Sequence, residues 1–218
     1  MDVEYYVDGT NFKTFGVYVS ASKGLVGSLA RKSTTTVDYS DYHGIARDNT
    51  KILYKERTIQ LSCFVYAKSR QDFVDKVQDF FALFNSKANV RLKVEYNGKT
   101  MPLVYQVTFS DESDVDKNWA CDENGQMVGT FTLKLTEDEP VKKVYRSTSS
   151  SVAITINTPK VVSIYWGDGT ATYNVFGDQS ISHYYSETGT HEIIVAGVIE
   201  DIASISCSNA SLLWNLLK

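Results

Sequence analysis

The residues that could catalyse a reaction or bind a metal are few and widely spaced. No histidine among His43, His183 and His191 has a second histidine or a cysteine at the i, i+4 or C-x-x-C spacing of zinc sites. The cysteines are odd in number and far apart, which favours reduced thiols over a disulfide framework. They are Cys63, Cys121 and Cys207. The sequence therefore predicts no metal centre and no disulfide.

One acidic segment has part of the spacing of a calcium-binding loop. Asp114, Asp116 and Asn118 occupy positions 1, 3 and 5 of such a loop. Trp119 stands where the sharp turn requires glycine, and Gly125 stands where a bidentate glutamate completes the shell. We therefore expect a solvated loop, with weak cation binding as the alternative.

The sequence also lacks the short motifs of hydrolases and nucleotide-binding enzymes. It contains no G-x-S-x-G elbow, no Walker loop and no dinucleotide-binding glycine fingerprint. Cys63 lies on the apolar face of a predicted strand, where a thiol is desolvated and inert. Paired carboxylates occur only in predicted loops. These observations predict a protein that is not an enzyme and needs no cofactor.

The composition predicts a folded, mainly β protein. Hydrophobic residues make up 43% and charged residues 22% of the 218 residues, which is typical of globular chains. The 14 Tyr, 10 Phe and 3 Trp against only 3 Pro favour pleated sheets. A net charge of −4 argues against nucleic-acid binding, and no apolar run is long enough to span a bilayer. The first residues do not resemble a secretory signal, so we expect no export by that route.

Period-two alternation predicts strands over most of the first 136 residues. The clearest local signal is a hairpin between residues 90–96 and 101–109. Asn97 and Gly98 join its strands, and both residue types tolerate the positive φ of a tight turn. An acidic segment that ends at Pro140 then predicts a domain boundary.

One amphipathic helix is predicted to interrupt these strands. Five apolar residues fall at spacings that place them on one helical face, and Ser69 is the predicted N-cap. We expect this face to pack on the sheet. The alternative is a helix that contacts a membrane surface or a partner, although its polar face lacks dense basic charge. The five residues are Phe73, Val77, Phe80, Phe81 and Phe84.

The second half of the chain has shorter and more closely spaced strand signals. Residues 141–151 are polar and predict a linker, and residues 152–201 predict a small immunoglobulin-like β-sandwich. Residues 202–218 are apolar and predict an element that depends on a partner. The predicted fold class is therefore mainly β: an N-terminal β-sandwich or barrel-like domain with one α-helix over residues 1–140, followed by the small sandwich.

The order of short motifs in the first unit resembles the N-terminal domain of phage distal tail proteins. The resemblance implies a homo-hexameric ring at the tip of a long non-contractile tail. Such a ring joins the tail-tube protein to the tail-tip hub or tail-associated protein, and it assembles in the bacterial host cytoplasm. The motifs are residues 6–12, 15–19, 31–32, 41–44, 57–66, 69–73, 97–98 and 129–133.

The second unit resembles the polycystic-kidney-disease-type (PKD) domains of bacterial surface proteins. Gly167 and Gly169 allow a tight turn around Asp168, and Trp166 and Tyr185 are expected to fill the core, so a structural role is favoured over binding. The tail of the chain also resembles the opening of a leucine-rich repeat. The residues that carry the PKD resemblance are Trp166, Gly167, Asp168, Gly169, Tyr185 and Gly189.

The sequence thus favours a structural tail-tip protein that presents a PKD-like module for host-surface contact. The alternative is a bacterial surface adhesion or carbohydrate-binding protein, in which Trp166, Tyr173 and Tyr184 stack on sugars. Under the first hypothesis the partners are copies of the chain, the tube and hub proteins, and a host-surface glycan. The mild acidity also suits a channel that DNA traverses without being held.

Overall fold

Antiparallel β-sheets contain most of the chain in the computed structural model, which describes residues 3–41, 43–48, 50–96, 98, 100–109 and 114–218. A single α-helix lies among these residues, and it is neither long nor apolar enough to span a membrane. The predicted class, mainly β with one helix in the first half, is confirmed.

The first unit is one eight-stranded sheet with a helix on its inner face. The order along the sheet is β2-β1-β7-β8-β10-β6-β3, and β9 pairs with β10. A separate hairpin, β4 with β5, stands apart from it. The strands are β1 (Glu4–Val7), β2 (Thr10–Asn11), β3 (Val17–Lys23), β4 (Thr36–Val37), β5 (Ala46–Arg47), β6 (Arg57–Ala67), β7 (Val90–Glu95), β8 (Leu103–Phe109), β9 (Asp116–Lys117) and β10 (Met127–Glu137).

Alternating burial defines the central pair of this sheet. β6 and β10 pair over their full eleven residues, and every second side chain of each strand is buried. Helix α1 (Arg70–Asn85) packs on this buried face. Its N-cap is Ser69, whose hydroxyl accepts a hydrogen bond from the Asp72 N–H.

The predicted apolar face of α1 lies against the core. Phe80 is fully buried and meets the rings of Phe12, Phe81 and Phe84 edge to face. Phe73, Phe80 and Phe84 are buried, and Val77 and Phe81 pack against the same core while partly exposed.

Gly129 in β10 lets the helix approach this closely. A Cβ atom there would lie 2.7 Å from the ring of Phe73, well inside van der Waals contact.

The predicted hairpin forms between β7 and β8, but its connection is longer than a tight turn. The last register pair is Val94 with Leu103. Pro102 precedes β8 and has no N–H to donate to the ladder, so pairing begins at Leu103. Gly98 has a φ of 62°, and Asn97 lies outside the described residues.

The second unit has strands over residues 142–217, wider than the predicted 152–201. The order is β13-β12-β14-β11-β16, and β15 pairs with β12. The long strand β12 has irregular register near Thr158, so its first half pairs with β15 and its second half with β14. The strands are β11 (Lys142–Ser147), β12 (Ser151–Tyr165), β13 (Ala171–Tyr184), β14 (His191–Gly197), β15 (Ser204–Ser208) and β16 (Ser211–Leu217).

Two predictions about this half are wrong. The linker predicted over 141–151 contains strand β11. Although its sequence is polar, Val144 is buried there, and Lys142 is buried in an ion pair with Glu137. The segment 202–218 does not open a leucine-rich repeat. It forms β15 and β16, which pair with β12 and β11 and bury part of their apolar surface within the protein itself.

Candidate functional site

A buried ionic cluster joins the two units. Glu137, at the end of β10, accepts hydrogen bonds from the Arg57 Nε at 3.0 Å and from the Lys142 ammonium of β11. The ring of Tyr105 lies beside both cations, with 4.3 Å from its centroid to the Lys142 Nζ. Burial lowers the pKa of Lys142 to about 8, although the Glu137 carboxylate acts in the opposite direction. The cluster fixes β11 against the first sheet.

The same cluster holds the segment that follows β3. Arg57 donates to the carbonyl oxygens of Gly24 at 3.0 Å and Leu25 at 3.3 Å. The Tyr105 hydroxyl donates to the Leu25 carbonyl at 2.6 Å. These bonds hold residues 24 and 25 in a fixed position against the first sheet, before the chain continues to residue 31.

A second set of contacts lies further along the junction. Arg91 of β7 donates to the Glu192 carbonyl of β14, and Arg146 donates to the Glu192 carboxylate at 3.1 Å. Burial lowers the pKa of Arg91 to about 10, against the attraction of the Glu192 carboxylate. The Trp214 Nε1 donates to the Pro102 carbonyl at 3.0 Å. An apolar cluster combines residues of β8 with residues of β11 and β14, so the two units also pack through a shared core. That cluster is Val104, Val144, Ile194 and Ala196.

A hairpin extends from this body, and we call it the arm: the described residues among 31–55. Its base is held by backbone bonds from Lys32 N to Leu53 O and from Lys55 N to Ala30 O, both 2.8 Å. Strands β4 and β5 continue it. About seven residues separate the base from the tip, which corresponds to about 23 Å at about 3.3 Å per residue.

The tip of the arm exposes apolar side chains. Tyr39 is 52% and Ile45 is 58% exposed, and Val37 beside them is also exposed. Asp38 and Asp41 give the same region negative charge. The base of the arm is tied to the second unit, because the Lys51 ammonium pairs with the Asp201 carboxylate at 2.5 Å. Large apolar side chains exposed near one another, as at this tip, are typical of a protein–protein interface.

An apolar groove of about 640 Å³ lies where residues of β1, β7, β8 and the end of β3 meet β16, and we call it the edge groove. It runs past the end of β3, which pairs with β6 and leaves its other edge unpaired among the described strands. Lys23 and Lys218 stand in its lining, and Val26 there is 82% exposed. Its apolar walls include Val3, Tyr5, Val26, Tyr96, Trp214 and Leu217.

Comparison with protein families identifies the family of this chain. The sequence profile described as a phage tail protein RIFT-related domain matches residues 13–156. The chain belongs to this family. The match contains the arm, α1, the buried ionic cluster and the first strands of the second unit. Comparison with curated protein sequences gave no significant match.

Two solved structures align with this tail protein over nearly its whole length. The crystal structure of the distal tail protein (Dit, gp 19.1) of phage SPP1 aligns with a TM-score of 0.50 and 12% identity, over 100% of this chain and 91% of that one. A chain of the phage P2 baseplate in its activated conformation with Ca aligns with a TM-score of 0.45 and 12% identity, over 97% and 96%. The family match thus makes this chain a phage tail protein, and the alignment at a TM-score of 0.50 shows that it shares the fold of the SPP1 Dit protein.

The predicted turn of the tail protein's second unit sits at the end of the β12–β13 hairpin. Trp166 is only 2% exposed, and its Nε1 donates to the Thr172 hydroxyl at 3.0 Å. The Tyr185 hydroxyl donates to the Trp166 carbonyl at 2.9 Å. Both side chains lie in the core of the second unit.

Asp168 organises the backbone of this turn. Its carboxylate accepts hydrogen bonds from the Thr170 N–H at 3.0 Å and hydroxyl at 2.6 Å, and lies 2.7 Å from the His183 Nε2. Burial acts to raise the pKa of Asp168, but these hydrogen bonds outweigh it and lower the pKa. Gly167 and Gly169 have φ values of 95° and 90°.

The remaining members of the predicted set have simpler surroundings. A Cβ at Gly189 would meet only the His191 side chain at 3.8 Å, so nothing nearby requires glycine there. His191 stacks on Tyr185 with 3.8 Å between ring centroids. The turn is thus held by hydrogen bonds and ring contacts of its own side chains.

The residues considered for chemistry lie apart. Within the described ranges, no three His, Cys, Asp or Glu side chains gather as a metal site would require. Asp116 belongs to β9 and pairs with Thr130, so the calcium-like spacing falls partly on a strand. Burial raises the pKa of Cys63 to about 12, which keeps it a thiol.

The arm and the edge groove were missed by sequence reasoning. The segment 31–55 has weak alternation, and its significance comes from apolar residues whose exposure is visible only in the folded structure. A possible signal was the run of Val37, Tyr39, Ile45, Ile52 and Leu53 among polar residues, without the periodicity of a core element.

Proposed function

We propose that this tail protein forms a homo-hexameric ring that joins the tail-tube protein to the tail-tip hub or tail-associated protein. The arm is the observation that carries the proposal, since it presents Tyr39 and Ile45 to solvent from a rigid base. A single contact between unlike surfaces, repeated around an axis, closes a ring. In this reading the ring-forming part is the first unit, residues 1–140.

Similarity to known tail proteins supports the same role. The SPP1 Dit structure carries the description of a paradigm of the hub adsorption apparatus in phages that infect Gram-positive bacteria. By analogy, we place the present protein at the equivalent joint, assembled in the cytoplasm of a bacterial host. The net charge of −4 suits a central channel through which DNA passes without binding.

We also propose that the second unit is a PKD-like module that faces outward for host-surface contact. The edge strand β13 supports this, because Phe176 and Tyr184 project from it and are 61% and 76% exposed. Trp166 is buried and does not stack on a sugar. Tyr173 and Tyr184 lie eleven positions apart on β13, roughly 35 Å along the strand, so they do not form one sugar site.

We propose Tyr184, the most exposed of these aromatic residues, as the one that contacts a host glycan. Binding of the full chain to a glycan array, abolished by Tyr184→Ser and unaffected by Tyr173→Ser, would support host-glycan contact. Equal binding by wild type and Tyr184→Ser would contradict it.

The ring is tested by solution mass and imaging. Light scattering at increasing concentration, with negative-stain images, should give six copies around a channel, alone or after addition of the tail-tube protein. A strict monomer at high concentration, with no ring on addition of that partner, contradicts the proposal.

A further inference from the structure

We propose that a cavity between the two units binds a phosphate group, and we call it the junction cavity. Its volume is about 300 Å³, within the range of small-molecule sites. The first unit lines it with the turn after β1, the loop after α1 and facing residues of β7 and β8, and the second unit lines it with the β12–β13 turn. The inference does not depend on the proposed ring, because all of these residues belong to one chain. Besides two tyrosines, the polar lining residues are Asp8, Lys87, Asn89, Arg91, Gln106 and Thr170.

The first argument is the charge of the lining. Lys87 and Arg91 are cations, and Asp8 is the one carboxylate among the described residues that line the cavity. Both oxygens of Asp8 are occupied. Its Oδ2 lies 2.7 Å from the Lys87 Nζ, and its Oδ1 accepts a hydrogen bond from the Arg91 N–H at 2.8 Å. Asp8 thus positions Lys87 and leaves the lining with a net positive charge, in a chain whose net charge is −4.

The second argument is the Arg91 guanidinium, which forms no ion pair of its own with a described residue. Its Nε donates to the Gln106 Oε1 at 2.9 Å and its Nη1 donates to the Glu192 carbonyl, and both acceptors are neutral. The Glu192 carboxylate is nearby, but it is hydrogen-bonded by Arg146 at 3.1 Å. A part-buried guanidinium in these surroundings gains from an oxyanion, because hydrogen bonds between two charged groups are stronger than neutral ones.

The third argument is an excess of hydrogen-bond donors. The Arg91 Nε can only donate, so the Gln106 oxygen faces it, and the Gln106 NH2 group donates to no described residue. The Asn89 oxygen is occupied in the same way, by the Thr108 hydroxyl at 2.8 Å. The lining therefore offers an ammonium, a guanidinium and two amide NH2 groups. A phosphate, with several acceptor oxygens, complements such a lining.

The β12–β13 turn leaves room beside the cation. A Cβ at Gly169 would lie 3.8 Å from the Lys87 Nζ, and Gly169 has a φ of 90°, which favours glycine. The backbone thus approaches Lys87 without a side chain between them. The neighbouring Asp168 has its own partners, since its carboxylate accepts a hydrogen bond from the Thr170 hydroxyl and lies 2.7 Å from the His183 Nε2.

Two variants change the junction cavity in different ways. Lys87→Gln removes the ammonium from an exposed position, so the fold should be kept. Gln106→Glu keeps the side-chain shape and places a carboxylate next to the Arg91 guanidinium, where it pairs with the cation and repels phosphate. Lys68→Gln is the matched control, because Lys68 is exposed and lies outside the cavity. Thermal unfolding without phosphate checks that all three variants are folded.

Isothermal titration calorimetry of the full chain, at constant ionic strength in sodium chloride, measures the binding. We expect wild type and the Lys68→Gln control to bind inorganic phosphate with a Kd on the order of 1 mM. Lys87→Gln and Gln106→Glu should each bind it at least about tenfold more weakly. Acetate, with only two oxygens in one plane, should bind wild type at least about tenfold more weakly than phosphate does.

Dimethyl phosphate separates two sources of the phosphate group. Binding of this diester as tightly as inorganic phosphate assigns the cavity to a phosphodiester polymer, whereas binding of inorganic phosphate alone assigns it to the free ion. Wild type that does not bind either phosphate, or that binds them no better than both variants do, overturns the inference. Acetate that binds as tightly as phosphate overturns it too, because any anion then suffices. A chain that binds phosphate but forms no ring contradicts only the proposed function.

Discussion

The junction between the two units buries charged side chains, whereas the tip of the arm exposes apolar ones. At the junction, Arg57, Glu137 and Lys142 are charged groups taken almost entirely out of water and paired with one another. At the arm tip, Tyr39 and Ile45 are apolar groups left in water. The first arrangement fixes geometry inside one chain, whereas the second gains from burial only when another surface arrives.

This difference indicates where rigidity and assembly reside. A buried ion pair contributes little net stability, but loss of one partner leaves an uncompensated charge, so it restricts the chain to one arrangement. The exposed apolar tip has no such restriction. The body thus sets the direction of the arm, and under the proposed function the tip of the arm contacts a neighbouring copy.

The largest expected effect comes from breaking the junction with Glu137→Gln. Two cations then remain buried without an anion, and the free energy of unfolding should fall by about 3–5 kcal/mol. Urea unfolding followed by tryptophan fluorescence measures this loss. Glu123→Gln on an exposed turn is the control and should change stability by less than about 0.5 kcal/mol. A similarly small loss for Glu137→Gln contradicts the role of the cluster.

A smaller effect is expected at the turn that packs against β14. Gly167 has a φ of 95°, and a Cβ there would lie 2.7 Å from the Glu192 carbonyl oxygen, so Gly167→Ala should cost about 3 kcal/mol. Gly177 has a φ of 76° with open space around it, and Gly177→Ala should cost only about 1–2 kcal/mol. Thermal unfolding of both variants measures the difference. Equal losses of stability would show that the close contact between the turn and β14 adds nothing to the cost at Gly167.

The pH dependence of the unfolding free energy tests the lowered pKa of buried Lys142. Its pKa is about 8 in the folded chain, below the ordinary 10.5 of an unfolded lysine, so the unfolded chain binds more protons between these values. The free energy of unfolding of wild type, relative to Lys142→Met, should therefore rise by about 1–2 kcal/mol from pH 8 to pH 10. Urea titrations at both pH values measure the rise. A relative stability that falls over this range has the wrong sign for a buried lysine.

The smallest effect on stability is expected at the arm tip. Tyr39→Ser removes an exposed ring, so the unfolding free energy of the monomer should change by less than about 0.5 kcal/mol. Chemical unfolding at a concentration where wild type is monomeric measures it. A loss above 1.5 kcal/mol would mean that Tyr39 packs on its own body.

The sequence predicts elements well where local periodicity matches burial. The apolar face of α1 and the alternation of β6 are visible in the chain because their spacing repeats the period of the element. Strand β11 shows the reverse case. Its two lysines suggest a polar linker, and only Glu137, brought beside Lys142 in the fold, explains why one of them is buried.

The junction and the arm depend on contacts that no local pattern encodes. Arg57 and Glu137 are 80 residues apart, and Glu137 belongs to an acidic segment that reads as a domain boundary. The arm shows the same limit, because exposure of Tyr39 is a property of the whole fold. The turn at residues 166–170 was easier to predict, since Gly167, Asp168 and Gly169 are adjacent in the chain.

Hydrogen–deuterium exchange across the concentration of ring assembly tests the division between body and arm most directly. The account predicts that amides of the arm, the described residues among 31–55, become protected only in the assembled state. Amides of β6, β10 and β11 should exchange slowly and equally in both states. An arm with the same protection at every concentration, or protection gained mainly in β11 and β14, would contradict it.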